Sequence, residues 1–257
     1  MQSRSPTFGD VADEIRLALR AWGFLTRWPV GDRVWGEDRD LGRSMRYFPI
    51  AGAGVGLIAG VAYAVLAHLG KPDLAAAGLA LGVAALLTGA LHEDGLADVA
   101  DGLGGGHTRE RALEIMRDSR IGAYGALALM VATVVKAGSL ASHTPLEGLA
   151  FMICAHASGR AAVALAAASA PYARRDGAGA HAATDMANAG IAVGLAALIA
   201  LTNGAHGLLA LVLALAAGQA LLLYLKKRLG GWTGDGLGAI EQVAEITALV
   251  VLSATLV

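Results

Sequence analysis

Apolar residues run in long blocks along this chain, interrupted by short polar turns. Seven blocks approach the roughly 20 residues that a helix needs to cross a bilayer. They lie near 47–69, 74–91, 121–141, 146–170, 186–203, 206–225 and 237–257. No stretch between them is long enough for a soluble domain. The pattern predicts an all-α, polytopic transmembrane helix bundle of about seven spans in a single integral membrane domain. Residues 1–46 form its tail and interfacial helix, and 47–257 its transmembrane bundle.

Between residues 10 and 28 the pattern changes. Val11, Ile15, Leu19, Trp22 and Leu25 recur near helical spacing, with Arg16, Arg20 and Arg27 interspersed. This predicts an amphipathic helix, either lying at the membrane surface with tryptophan at headgroup level or packed as a short soluble helix on the rest. Met1–Pro6 reads as a flexible tail. Acids and arginines throughout residues 1–30 leave no apolar region of the secretory-signal kind. Glu37, Asp38 and Asp40 read as a solvated loop.

Composition agrees with the pattern. The chain is 56% hydrophobic and 16% charged, where a soluble domain carries about 25% charged residues. Its 35 glycines have no three-residue period and sit in alanine- and leucine-rich runs, as in closely packed membrane helices. One cysteine, Cys154, excludes an internal disulfide and a multi-cysteine zinc site. A net charge of -1 gives no bulk field that would attract nucleic acid. The placement of charge says more. With the N-terminus inside, inner loops collect Arg43, Arg46, Arg109, Arg111, Arg117, Arg120, Arg174, Arg175, Lys226, Lys227 and Arg228, and the outer connections hold only Lys71. The positive-inside rule then puts both acidic segments, 93–101 and 235–245, on the cytoplasmic side, and leaves the C-terminus outside.

The first acidic segment, "HEDGLADVADGLGGG" (92–106), follows directly on an apolar run. If it is helical, Asp94, Asp98 and Asp101 fall at i, i+4 and i+7 on one face, where like charges repel. A hard divalent cation gives a reason for that arrangement, since Mg²⁺ takes carboxylate and phosphate oxygens. The alternative is a solvated acidic helix start, favourable to the helix dipole. The membrane boundary, where charge is costly, favours the metal. Glu93, Asp94, Asp98 and Asp101 are therefore the expected metal and base cluster. Asp94 and Asp98 are the base candidates, and spacing does not choose between them.

Downstream, "RDSRIG" (117–122) sets Arg117 and Arg120 around Asp118 and Ser119 at the mouth of the third span. The arginine fork suits phosphate oxygens. Arg109 and Arg111 fit an anionic-lipid anchor equally well. In the fourth span, "HASGRAA" (156–162) holds His156, Ser158 and Arg160. His156 reads as a hydrogen-bonded packing residue, whereas an intramembrane arginine requires an acidic partner or polar cavity. The last span offers Glu241 and Glu245 at similar depth, after Asp235 in "GWTGDGLGA" (231–239). Arg160 is expected to bond one of these glutamates. Asp235 reads as a second acidic turn of the site or as a helix N-cap region. Arg46 is expected to reach the active face, and Lys136 to snorkel outward. The glycines of "RYFPIAGAGVG" (46–56) fit helix packing.

Taken together and in this order, "RWPV", "RYFPIAG", "HEDGLADVADG", "EIMRDSRIGAYG", "ASGRA" and "GWTGDGLGAIEQ" resemble the cobalamin synthase, or adenosylcobinamide-GDP ribazoletransferase, family. The blocks run from about Arg27 to Glu245. The resemblance implies an inner-membrane enzyme with its active face in the cytoplasm, joining adenosylcobinamide-GDP to α-ribazole or its 5′-phosphate and releasing GMP, with Mg²⁺. The candidate substrate set around the carboxylate cluster is Arg46, Arg117, Asp118, Ser119, Arg120, Ser158, Arg160, Asp235 and Glu241. A lipid bilayer and the two substrates are the expected partners, nucleic acid is not, and a homo-oligomer is compatible with the sequence. Two rivals stand beside it. "DGLADVAD" partly resembles the acidic motif of CDP-alcohol phosphotransferases, but has Asp98 where that motif has arginine and lacks its second acidic pair. A transporter with Arg160, Glu241 and Glu245 as an ion relay leaves the inner-face cluster unexplained.

Overall fold

The computed structural model describes residues 11–35, 41–71, 73–173 and 184–254. The Met1–Pro6 leader, Glu37, Asp38, Asp40, Arg174 and Arg175 lie outside them. Among the described residues the chain forms α1 (Val11–Leu25), α2 (Leu41–Ser44), α3 (Phe48–His68), α4 (Asp73–Thr88), α5 (Leu91–Gly105) and α6 (Arg109–Ile115). It continues as α7 (Ala123–Ala141), α8 (Pro145–Ser169), α9 (Met186–Ala200), α10 (Gly204–Leu229) and α11 (Gly234–Ser253). Among the described residues the only extended pairing is an isolated bridge between Tyr172 and Trp232.

The bundle is built around α8, which packs against α3, α9, α10 and α11. A capping box starts it, Thr144 and Glu147 each satisfying the other's backbone amide. From Cys154 to Ala164 every residue of α8 is buried. The closest neighbour is α3, through Gly52, Gly56 and Gly60, spaced four apart on one face. A Cβ built at Gly60 would lie 2.9 Å from the Leu149 Cα, and one at Gly52 or Gly56 would collide with the His156 or Met152 carbonyl oxygen. In lipid, where apolar surface alone gives little drive to associate, such backbone contact supplies the packing energy.

Five helices, α3, α7, α8, α10 and α11, have 19–26 residues, and the apolar stretches that contain them are long enough to cross a membrane. Two of the seven expected spans are shorter. α4 has 16 residues and α9 has 15, against about 20 for a full crossing. α4 stops because Gly89 (φ 71°) and Ala90 (φ 56°) both take the left-handed conformation. The chain turns by 95° there into α5, so the expected 74–91 span is a broken one. α9 and α10 run out and back through a turn at Gly204 (φ 63°). Asn188 at the start of α9 accepts a bond from Arg46 beside α3, and Arg228 at the end of α10 donates to the Gly106 carbonyl after α5. Both ends therefore lie on the face that carries α5 and the start of α11.

The N-terminal helix forms where its periodicity places it, packed on α3 and with an apolar outer side. α1 buries Leu17, Arg20, Ala21 and Leu25. Arg20 donates to the Val34 and Trp35 carbonyls, each at 3.0 Å. Trp22 lies over Gly54, and Phe24 stacks on Phe48 with ring centroids 5.9 Å apart. Val11, Ile15 and Leu19 are left facing outward. An outward apolar stripe fits a helix lying in lipid and is a poor surface for one in water.

Candidate functional site

α5 begins inside the bundle and carries its carboxylates out to the surface. As a helix it sets Asp94, Asp98 and Asp101 on one face and turns Glu93 to another. The packing of α5 on α11 is backbone to backbone. A Cβ at Gly95 would lie 2.7 Å from the Asp235 carbonyl oxygen, and one at Gly238 would lie 3.2 Å from the Gly95 Cα. That approach brings Asp94 and Asp235 to a shared cavity of about 220 Å³. α11 is started by Thr233, whose hydroxyl accepts from the Gly236 amide at 2.9 Å, so Asp235 is not the cap itself.

The cavity is apolar apart from one end. Leu25, Met45, Phe48 and Trp232 form its buried interior, with Phe24, Leu41, Val163 and Leu237 beside them. Asp94 is exposed and Asp235 half-buried, and they mark the open rim, with His92 buried between them and the core. Among the described residues Asp94 has no side-chain hydrogen bond or ion pair, which leaves both its oxygens available to a ligand.

Behind α5 lies a network of intramembrane charge. Arg160 of α8 bonds Glu241 and, at 2.7 Å, Glu245 of α11. Glu245 also accepts from Lys136 Nζ at 3.0 Å and lies 2.6 Å from His156 Nδ1. Gln242 links the ends, accepting from Lys136 at 2.9 Å and donating to Glu241 at 2.9 Å and to Glu93 at 3.4 Å. His92 Nδ1 lies 3.4 Å from Arg160 Nη2. Gly159 makes room for this, since a Cβ there would touch the Glu241 carboxylate. Two cations facing three carboxylates offset much of the cost that each charge would carry alone in lipid.

The structure separates the sequence-derived residues into distinct places. Asp94, Asp98 and Asp235 belong to the α5–α11 face. Glu93, Arg160 and Glu241 belong to the buried network, where one Glu93 oxygen has no protein partner. Asp101 is buried, and its two oxygens accept from the Gly122 amide at 2.7 Å and the Gly125 amide at 2.9 Å, pinning the start of α7. Ser158 is fully buried and donates to the Cys154 carbonyl within its own helix. Arg46 is buried too, bonded to Asn188 at 2.8 Å and Glu14 at 3.2 Å, and so ties α1, α3 and α9 together. Lys136 does not snorkel outward. It is turned inward because Glu245 and Gln242 accept from it.

At the surface end, Asp101, Arg111, Asp118, Arg120 and Tyr124 line a second hollow of about 300 Å³. Arg117 and Ser119 are exposed close by. Arg120 forms a forked pair with Asp118, at 2.9 Å and 2.6 Å, and this guanidinium holds the Asp118 carboxyl down to about 2. Asp118 is therefore ionised throughout the physiological range. Arg109 donates to the Leu229 and Ala173 carbonyls, at 2.7 and 2.8 Å.

Sequence reasoning missed three participants, His92, Gln242 and Trp232, and gave Lys136 the wrong direction. His92 and Gln242 each adjoin an acid that was chosen, which was the available signal. Trp232 had none beyond its glycine-rich setting.

Comparison with known proteins gives a consistent answer. A family model described as cobalamin-5-phosphate synthase matches residues 17–253. A protein of Bradyrhizobium diazoefficiens named adenosylcobinamide-GDP ribazoletransferase is 42% identical over 253 residues, covering 96% of each chain. Proteins of the same name from Rhizobium etli (42% over 250 residues, 92% of this chain and 96% of that one) and Sinorhizobium medicae (41% over 243 residues, 90% and 93%) are similar throughout. No solved structure matches the chain.

Proposed function

The chain belongs to the cobalamin-5-phosphate synthase family, and from that membership we propose that it is a membrane transferase joining adenosylcobinamide-GDP to α-ribazole or α-ribazole 5′-phosphate. In this reaction a ribose hydroxyl oxygen forms a bond to the cobinamide-linked phosphorus, the bond from that phosphorus to the GMP oxygen breaks, and GMP leaves. The observation that carries the reading, beside the family itself, is the carboxylate face of α5 opening on a cavity next to Asp235.

Asp94 or Asp98 takes the hydroxyl proton as general base, Asp94 being exposed and Asp98 half-buried one turn away on the same face. Mg²⁺ fits the same residues. Asp94 offers uncommitted hard oxygen donors, Asp235 lines the same cavity, and Asp98 lies one turn further along α5, so these residues would hold the ion. A Mg²⁺ held by these carboxylates would supply positive charge against the phosphoryl oxygens and the departing GMP. Glu93 faces the buried network and Asp101 is held by two amides, so neither is needed for this set. Arg111, Arg117 and Arg120 bring positive charge to the surface end of α5, where a nucleoside diphosphate would need it. Arg160 and its partners hold α5 and α11 in place from behind.

The protein belongs in the cytoplasmic membrane with this face inward. Arg46, Arg109, Arg111, Arg117, Arg120, Lys226, Lys227 and Arg228 all gather at the end of the bundle where α5 surfaces, which supports that orientation. The testing experiment supplies purified protein in proteoliposomes with both substrates and reads the corrinoid product by mass. Formation of the nucleotide-looped product supports the reading, and recovery of both substrates unchanged contradicts it.

A further inference from the structure

Resting on that proposed function, we propose that the apolar cavity between α1, α3, α5, α8 and α11 is the seat of the acceptor's heteroaromatic base, and that its walls set which base is used. The cavity measures about 220 Å³ and is walled by Phe24, Leu25, Met45, Phe48, Val163 and Trp232. Among the described residues its only acidic or basic lining groups besides His92 are Asp94 and Asp235 at the rim.

Each moiety of the two substrates can be weighed against this space. A corrin macrocycle is far larger than the cavity. Guanosine diphosphate carries two phosphates and a polar base edge, and burying these against hydrocarbon would leave their hydrogen bonds unmade. A methylated benzimidazole is flat, small and apolar over both faces, and gains from leaving water. The geometry of the rim agrees. A base seated among Phe48 and Trp232 projects its sugar toward Asp94 and Asp235, where the attacking hydroxyl has to be. The cavity is also built partly from α1, through Phe24 and Leu25. The N-terminal helix thus contributes to acceptor choice as well as lying on the membrane.

The test measures GMP release from the full chain in proteoliposomes, varying each substrate in turn, for wild type, Val163→Phe and Phe24→Ala. Val163→Phe fills the cavity. It should raise the KM for α-ribazole 5′-phosphate about 10-fold or more, the scale at which pocket shape discriminates, with the KM for adenosylcobinamide-GDP moving less than about 2-fold. Phe24 is part-exposed, so its truncation is tolerable even if the larger side chain at 163 prevents folding. Phe24→Ala should shift preference toward an acceptor with a base one ring larger. An unchanged acceptor KM and unchanged base preference in the folded variants, with an active wild type, would overturn the cavity assignment alone. A wild type that releases no GMP would overturn the proposed function and this assignment with it.

Discussion

Arg160 on α8 donates from a single guanidinium nitrogen to Glu245 on α11 at 2.7 Å, and the same nitrogen also bonds Glu241 one turn away. These contacts join the two most buried helices of the bundle directly behind the carboxylates of α5. The partners are unequally placed if Arg160 is lost. Glu245 keeps Lys136 and His156, whereas Glu241 keeps chiefly the Gln242 amide.

Arg160→Ala should therefore destabilise the protein by about 3–5 kcal/mol, the usual consequence of stranding a buried charge. Adding Glu241→Gln should recover more of that loss than adding Glu245→Gln, because Glu241 is the more poorly compensated carboxylate. Equilibrium unfolding in detergent reads both differences. Equal recovery, or greater recovery with Glu245→Gln, would show that the network is wired differently.

Asp94→Asn and Asp98→Asn should each lower GMP release by about 100-fold or more while membrane insertion and melting stay near wild type. An amide keeps size and polarity but removes the charge that a base or metal ligand requires. Near-normal turnover in both variants would dismiss the α5 carboxylates as the reacting face.

Asp101→Asn should behave differently from its two neighbours. An amide can accept with only one of its two terminal atoms, so one of the Gly122 and Gly125 amides is left without its partner. A stability loss of about 1–3 kcal/mol is expected, with the Mg²⁺ concentration for half-maximal rate unchanged. A shifted Mg²⁺ requirement at unchanged stability would return Asp101 to the metal set.

A cysteine at Gly105, in a Cys154→Ser background, should react with an impermeant thiol reagent only in inverted vesicles. Gly105 is exposed at the end of α5 and the native cysteine is buried. Labelling of intact cells from outside would reverse the topology.

The sequence made the helical bundle legible because each apolar block must satisfy its backbone internally in lipid. The pairing of Arg160 with the glutamates was also readable, since a charge at that depth needs a partner and depth follows from helical rise. The break between α4 and α5 was hidden. Hydropathy continues smoothly through Gly89 and Ala90, and only their left-handed backbone shows that the span ends early. Lys136 was misjudged for a related reason: position along a helix gives depth but not which way the side chain faces. The bonds of Asp101 and Ser158 go to two backbone amides at the start of α7 and to a carbonyl in α8 itself, and neither leaves a mark in residue spacing. The apolar cavity draws single residues from several helices, so no local motif announces it.

The most direct measurement is the rate of GMP release from purified protein in proteoliposomes given adenosylcobinamide-GDP, with and without α-ribazole 5′-phosphate and with and without Mg²⁺. The account predicts GMP in step with corrinoid product only when acceptor and Mg²⁺ are both present, and its loss in Asp94→Asn. Release that is independent of the acceptor, or undiminished in Asp94→Asn, would contradict it.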